Sequence, residues 1–347
     1  MSSFCKEVEG KQLLVLAPPI KANEYYKEKF FDVIPFYVNY VGNVTGKDDV
    51  ILVVDEETMP YYEGKIHQSK LIMDHIDDPW VRDVSLPIPS KDVQFTYVGG
   101  STLKEARNTQ SIFDKFIHEI GIATTRTDLL LDGGNLVNNN NNKVITSRKF
   151  LTDNNLTEQQ GVDELKHLLN VTHVSILTPD EPKLGHSDGM AAYVCDDVIY
   201  MHKQLEPNHT MYRNELLKGC PDCTIVEIEG FFDDRTFKEG YASSCGVYVN
   251  CVVTDAFIYM PIFNHERDAD AIFKFRNNPC NKTVVPIDVT TVCEMGGSLR
   301  CLSWQTQGEM AEKIMKAAQR NSSQTLSLSR VMFFLMVIFT LMKRDIC

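Results

Sequence analysis

The sequence lacks an excess of positive charge, and this absence limits its partners. It carries 35 Lys and Arg against 47 Asp and Glu, which gives a formal net charge of -12. This balance disfavours broad electrostatic attraction to nucleic acid or to anionic lipid, whereas small cations are attracted. We therefore expect no nucleic-acid partner and consider a small cationic molecule as the ligand. Solubility alone is the other explanation of the acidic composition.

The sequence also lacks a secretory signal at its beginning. Residues 1–20 contain no basic region followed by a sufficient apolar run. A cytoplasmic location is therefore expected. Six acceptor patterns for N-glycosylation are present, beginning at Asn43, Asn155, Asn170, Asn208, Asn281 and Asn321. Without entry into the secretory pathway these asparagines are expected to stay unmodified.

Regular cysteine spacing is a third missing feature. The ten cysteines among 347 residues do not follow the pattern of a small disulfide-rich domain, so we expect most of them to be reduced. Cys220 and Cys223 have the spacing of a redox or zinc-ligand pair, but no second pair matches them. We interpret this segment as a surface turn and predict no metal site.

Long apolar runs are absent, except near the C-terminus. Residues 331–342 are apolar apart from one threonine and are flanked by basic residues. As a helix this run would be about 18 Å long, against a hydrocarbon core of ~30 Å. It is either a terminal element packed on the domain or a membrane attachment, as a tail anchor or a processed lipid-anchor signal. We treat residues 321–347 as a C-terminal tail.

The remaining sequence alternates between strand and helix patterns. Apolar periodicity predicts a helix between Thr102 and Gly121, and Thr157 with Gln160 predicts a capping box before a second one. Weaker helices are predicted near residues 210–218, 266–276 and 308–320. Runs rich in β-branched and aromatic residues lie between them, and the NNNNN stretch at residues 138–142 is interpreted as an expanded hairpin loop. The fold class is therefore predicted to be α/β.

Turn motifs that carry Gly or Asp recur at nearly constant intervals. They include Asp83, Gly133, His186, Gly246 and Cys301, which are separated by gaps of 50, 53, 60 and 55 residues. This period predicts five strand and helix units arranged radially, with one polar motif of each unit pointing to the axis. Five units would fill the chain to about residue 320. Accidental spacing is the alternative.

Cys301 follows two glycines, Gly296 and Gly297, on a segment expected to come out of a strand. A buried structural cysteine needs no such hinge, whereas a reactive one needs its sulfur aimed into a cleft. A packed thiol is the alternative for the motif taken alone.

Convergence of the motifs would bring Asp83, Asp132, His186, Asp188 and Cys301 together. Carboxylates at Asp83 and Asp188 would hold a planar guanidinium ion through paired hydrogen bonds. A bound cation and a positive imidazole would lower the pKa of Cys301 and make it a nucleophile. His186 would act as general acid and base, oriented by Asp132.

The motifs PWVRD, LDGGN, GHSDGMAAYV and GGSLRCLSWQ resemble those of the agmatine deiminase and bacterial-type peptidylarginine deiminase family. The resemblance runs from about residue 14 to residue 305 in the family's motif order. It implies the pentein fold, a five-bladed α/β propeller with pseudo-fivefold ββαβ repeats. We expect residues 1–320 to form a single catalytic domain of this kind.

The resemblance also implies roles for individual residues. Cys301 is expected to be the nucleophile, and His186 the general acid and base. Asp83 and Asp188 would bind the guanidinium group, while Asp132 stands where many relatives have Glu. Trp80 and Asn135 are added as substrate-binding residues, Trp80 as an aromatic wall for a cation.

The implied reaction converts agmatine to N-carbamoylputrescine and ammonia through a covalent thiouronium on Cys301, without a metal or organic cofactor. Three features depart from the family pattern. An early tryptophan is missing, since Trp80 and Trp304 are the only two, and Arg300 replaces the usual histidine before the nucleophile. The fourth motif, YASSCGVYVN, follows the family only loosely.

These departures keep other guanidino substrates open, namely peptidyl or free arginine and methylated arginine. A hypothesis of another class is a non-catalytic pentein that binds an arginine-like ligand or a protein partner, at a membrane if residues 331–342 attach it there. The sequence does not decide between a monomer and a homo-oligomer.

Overall fold

The computed structural model describes residues 11–100, 102–181 and 183–321. The strands are β1 Leu13–Leu16, β2 Asp49–Val54, β3 Leu71–Met73, β4 Val93–Thr96, β5 Thr125–Leu130, β6 Val137–Asn138, β7 Lys143–Ser147, β8 His173–Leu177, β9 Ala191–Cys195, β10 Val198–His202, β11 Thr224–Ile228, β12 Val252–Val253, β13 Phe257–Ile262, β14 Thr283–Asp288 and β15 Trp304–Thr306. The helices are α1 Phe30–Val44, α2 Val81–Val84, α3 Leu103–Glu119, α4 Arg148–Asp153, α5 Glu158–Leu169, α6 Asn208–Gly219, α7 Asp268–Arg276, α8 Thr290–Cys293 and α9 at residues 308–321. The chain is therefore a mixed α/β protein, as predicted.

The strands of the described residues form five separate sheets. In three of them, β6-β7-β8, β9-β10-β11 and β12-β13-β14, the first two strands are antiparallel and the last two are parallel. At least one helix joins each parallel pair, because parallel neighbours need a crossover connection. In the sheet β15-β1-β2-β3, strand β15 supplies the antiparallel neighbour of β1. The sheet β4-β5 is a parallel pair joined through α3.

Strand β2 shows how the sheets generate the core. Its residues from Val50 to Val54 are almost fully buried. Successive side chains point to opposite faces, so Val50 and Leu52 pack in one apolar cluster while Ile51 and Val53 pack in another. A strand covered on both faces has the near-continuous apolar pattern that its sequence shows.

The predicted helix ends are confirmed where their signals are local. The side chain of Thr102 accepts a hydrogen bond from the backbone of Glu105 at the start of α3, and Gly121 follows the helix with a φ of +81°. At α5, Thr157 and Gln160 form both hydrogen bonds of the predicted capping box.

The asparagine run lies in the predicted hairpin. It connects β6 to β7, which pair antiparallel. The side chain of Asn139 accepts from the backbone N–H groups of Asn141 and Lys143, and that of Asn138 accepts from Asn140. Short amide side chains thus satisfy the turn backbone in place of a strand partner.

The expectation that most cysteines are reduced is wrong for the described residues. Three pairs form disulfides, namely Cys195–Cys280, Cys220–Cys223 and Cys245–Cys293. Two of these pairs are separated by 85 and 48 residues, so sequence spacing could not reveal them. The predicted turn at Cys220 and Cys223 is present, but both residues are buried rather than on the surface.

The apolar run at residues 331–342 lies outside the described residues. Within the part of the chain that is described, no helix is both long and apolar enough to cross a membrane.

Candidate functional site

Among the described residues, four of the five connections that lead from one sheet to the next contribute residues to one cavity. Asp83 lies between β3 and β4, His186 between β8 and β9, Asn250 between β11 and β12, and Cys301 between β14 and β15. The connection from β5 to β6 carries Asp132, which contacts His186 behind the cavity wall. The predicted convergence of Asp83, Asp132, His186, Asp188 and Cys301 is therefore present in space.

The nucleophile segment differs from its prediction in one respect. Cys301 does not come out of a strand, because it lies in a turn after α8 and immediately before β15. Gly296 has a φ of +101°, which side-chain-bearing residues rarely adopt. A Cβ atom on Gly297 would lie 2.3 Å from the ring of Trp80. The two glycines thus provide the bend and allow the close approach of the indole.

His186 lies between two carboxylates. Its Nε2 atom is 3.3 Å from Oδ2 of Asp132, and its Nδ1 atom is 3.7 Å from Oδ1 of Asp83. The side chain of His186 is only 9% exposed. A Cβ atom on Gly134 would lie 2.5 Å from Nδ1 of His186, so the LDGGN motif needs glycine there to let the imidazole in.

These contacts decide the charge of the imidazole. Burial favours its neutral form, but Asp83 and Asp132 outweigh burial and raise the pKa of His186 to about 9. Burial also raises the pKa of Asp83 to about 7, although the positive charge of His186 opposes this shift. At neutral pH His186 is therefore a cation, which can donate a proton to a leaving group.

Asp188 is held by a buried ion pair. Its Oδ2 atom accepts a hydrogen bond of 2.9 Å from Nη1 of Arg300, and both side chains are at most 5% exposed. Arg300 also donates through Nη2 to the backbone oxygen of Leu136 at 2.6 Å. A carboxylate has two oxygens, so the pair fixes one of them and leaves Oδ1 to accept from a ligand.

The sulfur of Cys301 lies in an acidic environment. It is 4.0 Å from Oδ2 of Asp188 and 3.3 Å from Nδ2 of Asn250. Burial, followed by the charges of Asp188 and Asp83, raises the pKa of Cys301 well above its ordinary value. The lowered pKa that the sequence predicts requires a bound cation beside the sulfur, and it stays a prediction.

The cavity around these groups has a volume of about 450 Å³. Its lining is acidic, with Asp77, Asp78, Asp83, Glu105, Asp180, Glu181, Asp188 and Glu239. The lining also contains the aromatic residues Tyr25, Tyr26, Trp80, Tyr97 and Tyr241. Among the described residues of the lining there is one lysine, Lys183, whose Nζ lies over the ring of Tyr241 at 3.5 Å. Such a lining suits a small organic cation.

The two predicted substrate-binding residues differ in their placement. Trp80 lines the cavity as predicted. Asn135 is buried, and its Oδ1 atom accepts hydrogen bonds from the backbone of Ser147 and Ser187. Asn135 is not among the residues that line the cavity, and its described contacts brace the backbone beside His186.

Two site residues were missed in the sequence. Asn250, in the loosely matching fourth motif, contacts both the backbone and the sulfur of Cys301. Arg82 is fully buried, its backbone N–H donates to the carbonyl of Cys301, and its guanidinium donates to Gln305. The repeat spacing predicted that the fourth motif lies at the site, but nothing in the sequence indicated that Asn250 or Arg82 would contact Cys301.

No group of three or more His, Cys, Asp and Glu residues in residues 11–100, 102–181 and 183–321 has a geometry that would hold a metal ion.

The structure is similar to two solved agmatine deiminases. The enzyme of C. jejuni has a TM-score of 0.71 at 17% sequence identity, over 86% of this chain and 94% of that chain. The enzyme of Enterococcus faecalis has a TM-score of 0.69 at 18% identity, over 86% of this chain and 93% of that one. At such identities the likeness shows a shared mixed α/β fold.

Sequence comparison gives the family. A Streptomyces avermitilis protein named "Putative agmatine deiminase" is 28% identical over 152 residues, which are 37% of this chain and 41% of that protein. The chain thus matches less than half of the length of this curated relative. The family model described as Porphyromonas-type peptidyl-arginine deiminase matches residues 3–306, nearly the whole chain. The family identification made from the four motifs is confirmed: this chain belongs to the Porphyromonas-type peptidyl-arginine deiminase family.

Proposed function

We propose that this protein is a cysteine-dependent hydrolase of a guanidino compound, with agmatine as its substrate and N-carbamoylputrescine and ammonia as its products. The observation that carries the proposal is the common cavity of Cys301, His186, Asp83 and Asp188. Agmatine deiminases are also its relatives in sequence and fold. A thiol, an imidazolium and two carboxylates are the groups that hydrolysis of a guanidinium requires.

Binding orients the guanidinium between the acids. Asp83 and the free oxygen of Asp188 accept hydrogen bonds from its N–H groups, while the indole of Trp80 contacts its planar face. The positive charge of the ligand offsets the two carboxylates that hold the pKa of Cys301 high. Substrate binding therefore promotes loss of the thiol proton to solvent, and the thiolate forms when its target is in place.

The first chemical step forms a carbon–sulfur bond. The thiolate of Cys301 attacks the guanidinium carbon and gives a neutral tetrahedral adduct. Imidazolium at His186 then donates a proton to one amino group, which leaves as ammonia. The product of this step is a covalent thiouronium cation on Cys301.

The second step uses His186 in its neutral form. The imidazole takes a proton from water, and the hydroxide formed adds to the thiouronium carbon. Collapse of this adduct breaks the carbon–sulfur bond, so the thiolate leaves, the hydroxyl group loses its proton to solvent, and the neutral ureido group of the product is formed. Asp132 stabilises the imidazolium each time it forms, as the third member of a triad does.

Agmatine is preferred over free arginine because of the cavity charge. Among the described residues of the lining, eight carboxylate side chains outnumber the two cations Lys183 and His186, so a substrate that carries its own carboxylate would be repelled. Agmatine has an amine at the end distant from its guanidinium group and no carboxylate.

We also propose the arrangement of the fold as a five-bladed propeller with pseudo-fivefold repeats. Three observations support this arrangement. The described strands form five sheets, and antiparallel and parallel pairing recurs among them. Every connection between two sheets also carries a residue that lines the cavity or contacts a residue that does. The polar motifs of the five units would then meet at the axis.

A substrate panel tests the proposed activity. Agmatine, arginine, dimethylarginine and arginine-containing peptides are incubated separately with the protein, and ureido product and ammonia are measured. We expect the highest kcat/KM for agmatine and no product from the Cys301→Ala variant. No turnover of any of these compounds would favour a guanidinium-binding protein without catalysis.

A further inference from the structure

We propose that this protein is N-glycosylated in an oxidising compartment of the secretory pathway, at Asn155, Asn170, Asn208 and Asn281. Each of these asparagines begins an N-x-T acceptor motif. The proposal is independent of the proposed function, because it concerns the surface outside the cavity. It replaces the expectation from the sequence that these asparagines stay unmodified.

The disulfides are the first observation behind the proposal. Three disulfides use six cysteines of the described residues and leave two free. Such bonds form and persist in oxidising compartments and are rare in the cytosol, where thiols are kept reduced. Acceptor asparagines are modified in the same compartment in which disulfides form, so the cysteine pairing and the acceptor motifs indicate one location.

The exposure of the asparagines is the second observation. All four are exposed, and no hydrogen bond to the described residues holds their side-chain amides. Asn43 begins a further motif but differs from them. It is half-buried in α1, and its Nδ2 atom donates to both oxygens of Asn39, at 3.0 and 2.9 Å. A glycan needs an amide nitrogen that projects into solvent, so the four exposed asparagines are better suited than Asn43.

Backbone geometry accounts for some of these residues without a glycan, but not for the whole motif. Asn170 and Asn281 have φ angles of +45° and +56°, a conformation that asparagine adopts more readily than most residues. That geometry does not require a hydroxyl group two positions later. Thr283 supplies this hydroxyl after Asn281, is exposed, and makes no side-chain hydrogen bond to the described residues. Recognition as an acceptor does require it.

Two of the sites lie at the strand ends that are distant from the cavity. Asn170 precedes β8 and Asn281 precedes β14, whereas His186 and Cys301 follow the other ends of these strands. Strands of five or six residues span about 17–20 Å. Asn155 lies in the turn between α4 and α5, and none of the four sites is among the described residues that line the cavity. Glycans at these places therefore leave the cavity open to a small ligand.

The modification is a group transfer from a lipid-linked oligosaccharide, catalysed by a transferase of the host cell. A bond forms between Nδ2 of the asparagine and the anomeric carbon of the sugar. The bond between that carbon and the pyrophosphate oxygen of the lipid breaks, and the lipid pyrophosphate leaves. The amide loses one proton to solvent and keeps one, so the product is a neutral N-glycosyl amide.

Peptide analysis of the full-length protein isolated from the cells that make it naturally tests the proposal. Its peptides are treated with N-glycosidase F in heavy-oxygen water, which converts each glycosylated asparagine to a labelled aspartate. Mass spectrometry then locates the label. We expect label at Asn155, Asn170, Asn208 and Asn281. Absence of label from all four would overturn the proposal, and label at Asn43 alone would contradict the argument from exposure.

Variants test whether the label reports N-x-T recognition. The full-length protein is produced in eukaryotic cells behind an added secretory leader. Thr283→Ser keeps the hydroxyl and should keep the glycan at Asn281, whereas Thr283→Val should lose it. Asn264→Gln is the matched control, because Asn264 is exposed with a φ of +54° but has no hydroxyl two positions later, and this variant should keep every glycan. A glycan that persists at Asn281 in Thr283→Val would contradict the proposal.

These outcomes are read from peptides, so they do not depend on whether a variant folds. Glycans on the protein made with the added leader, together with none on the protein from its natural cells, would overturn the proposal. Turnover of agmatine by a protein without glycans would overturn this proposal alone. Glycans on a protein that turns over no guanidino compound would contradict the proposed function alone.

Discussion

At the scale of single residues, the site combines a protonated thiol with a charged imidazole. Burial and the carboxylates of Asp188 and Asp83 raise the pKa of Cys301, while Asp83 and Asp132 raise that of His186 to about 9. In the proposed mechanism the positive charge of the substrate shifts Cys301 toward its thiolate form, while His186 already carries the proton for the leaving group.

The buried imidazolium should make stability depend on pH. The pKa of His186 rises from 6.5 to about 9 on folding, so its contribution is fully present below pH 6.5 and is lost as the pH rises through about 9. We expect the stability difference between wild type and His186→Gln to be larger at pH 6 than at pH 10. Urea unfolding at both pH values measures it. An equal difference at both values would contradict the charged state assigned to His186.

The residues that converge on the site were predictable where a motif places a reactive group in a turn. Cys301, His186, Asp83, Asp132 and Asp188 were identified in this way. Asn250 was missed because its role depends on a neighbour about 50 positions away, and one asparagine among apolar residues has no periodicity of its own. The raised pKa of Cys301 depends on burial and on its distances to Asp188 and Asp83, which the sequence does not contain.

At the scale of elements, a disulfide joins two segments of the cavity wall. Cys245 comes directly after Ser243 and Ser244, which line the cavity. Cys293 comes shortly before residues 295–297, which also line it. The backbone of Ser244 also donates to the carbonyl of Cys293 at 2.9 Å. The bond therefore holds the fourth motif against the segment that leads to Cys301.

Loss of this bond should destabilise the protein. The Cys245→Ser/Cys293→Ser variant should lose up to about 4 kcal/mol of unfolding free energy, because the bond closes a long loop. Denaturant unfolding measures the change. Cys220→Ser/Cys223→Ser is the matched control, and it should lose less because its partners are separated by only 3 residues. Equal stability of wild type and the Cys245→Ser/Cys293→Ser variant would contradict the claim that this disulfide stabilises the folded protein.

Elements with local signals were predicted, whereas α1 was missed. The capping box of α5 and the stripe of α3 depend on residues a few positions apart. Helix α1 is rich in Phe, Tyr and Val and contains Pro35, all of which have low helix propensity. Its buried aromatic face packs on the largest apolar cluster, so tertiary burial overrides the local preference.

At the scale of the whole molecule, the cavity is built by connections distributed along the described chain. Pairing of β15 with β1 brings the segment just after Cys301 beside the first strand. The repeat period of the sequence predicted which turns converge. It could not predict which side chains face the cavity and which, like Asn135, brace the backbone.

Activity should not require the C-terminal tail. A protein truncated after Asn321 should have the same kcat/KM for the substrate found in the panel, because no sequence motif lies after that position and the described cavity residues all lie before it. Steady-state kinetics of the truncated and full-length proteins measure this. An inactive or insoluble truncated protein would show that residues 322–347 belong to the folded domain.

Labelling with 2-chloroacetamidine, a thiol-reactive amidine cation, tests the central claim most directly. The account predicts labelling at Cys301 that disappears in Cys301→Ala and persists in Cys251→Ala, which removes the other free cysteine of the described residues. Excess agmatine should slow the reaction. A folded wild-type protein that is not labelled at Cys301, or labelling that persists unchanged in Cys301→Ala, would contradict the account.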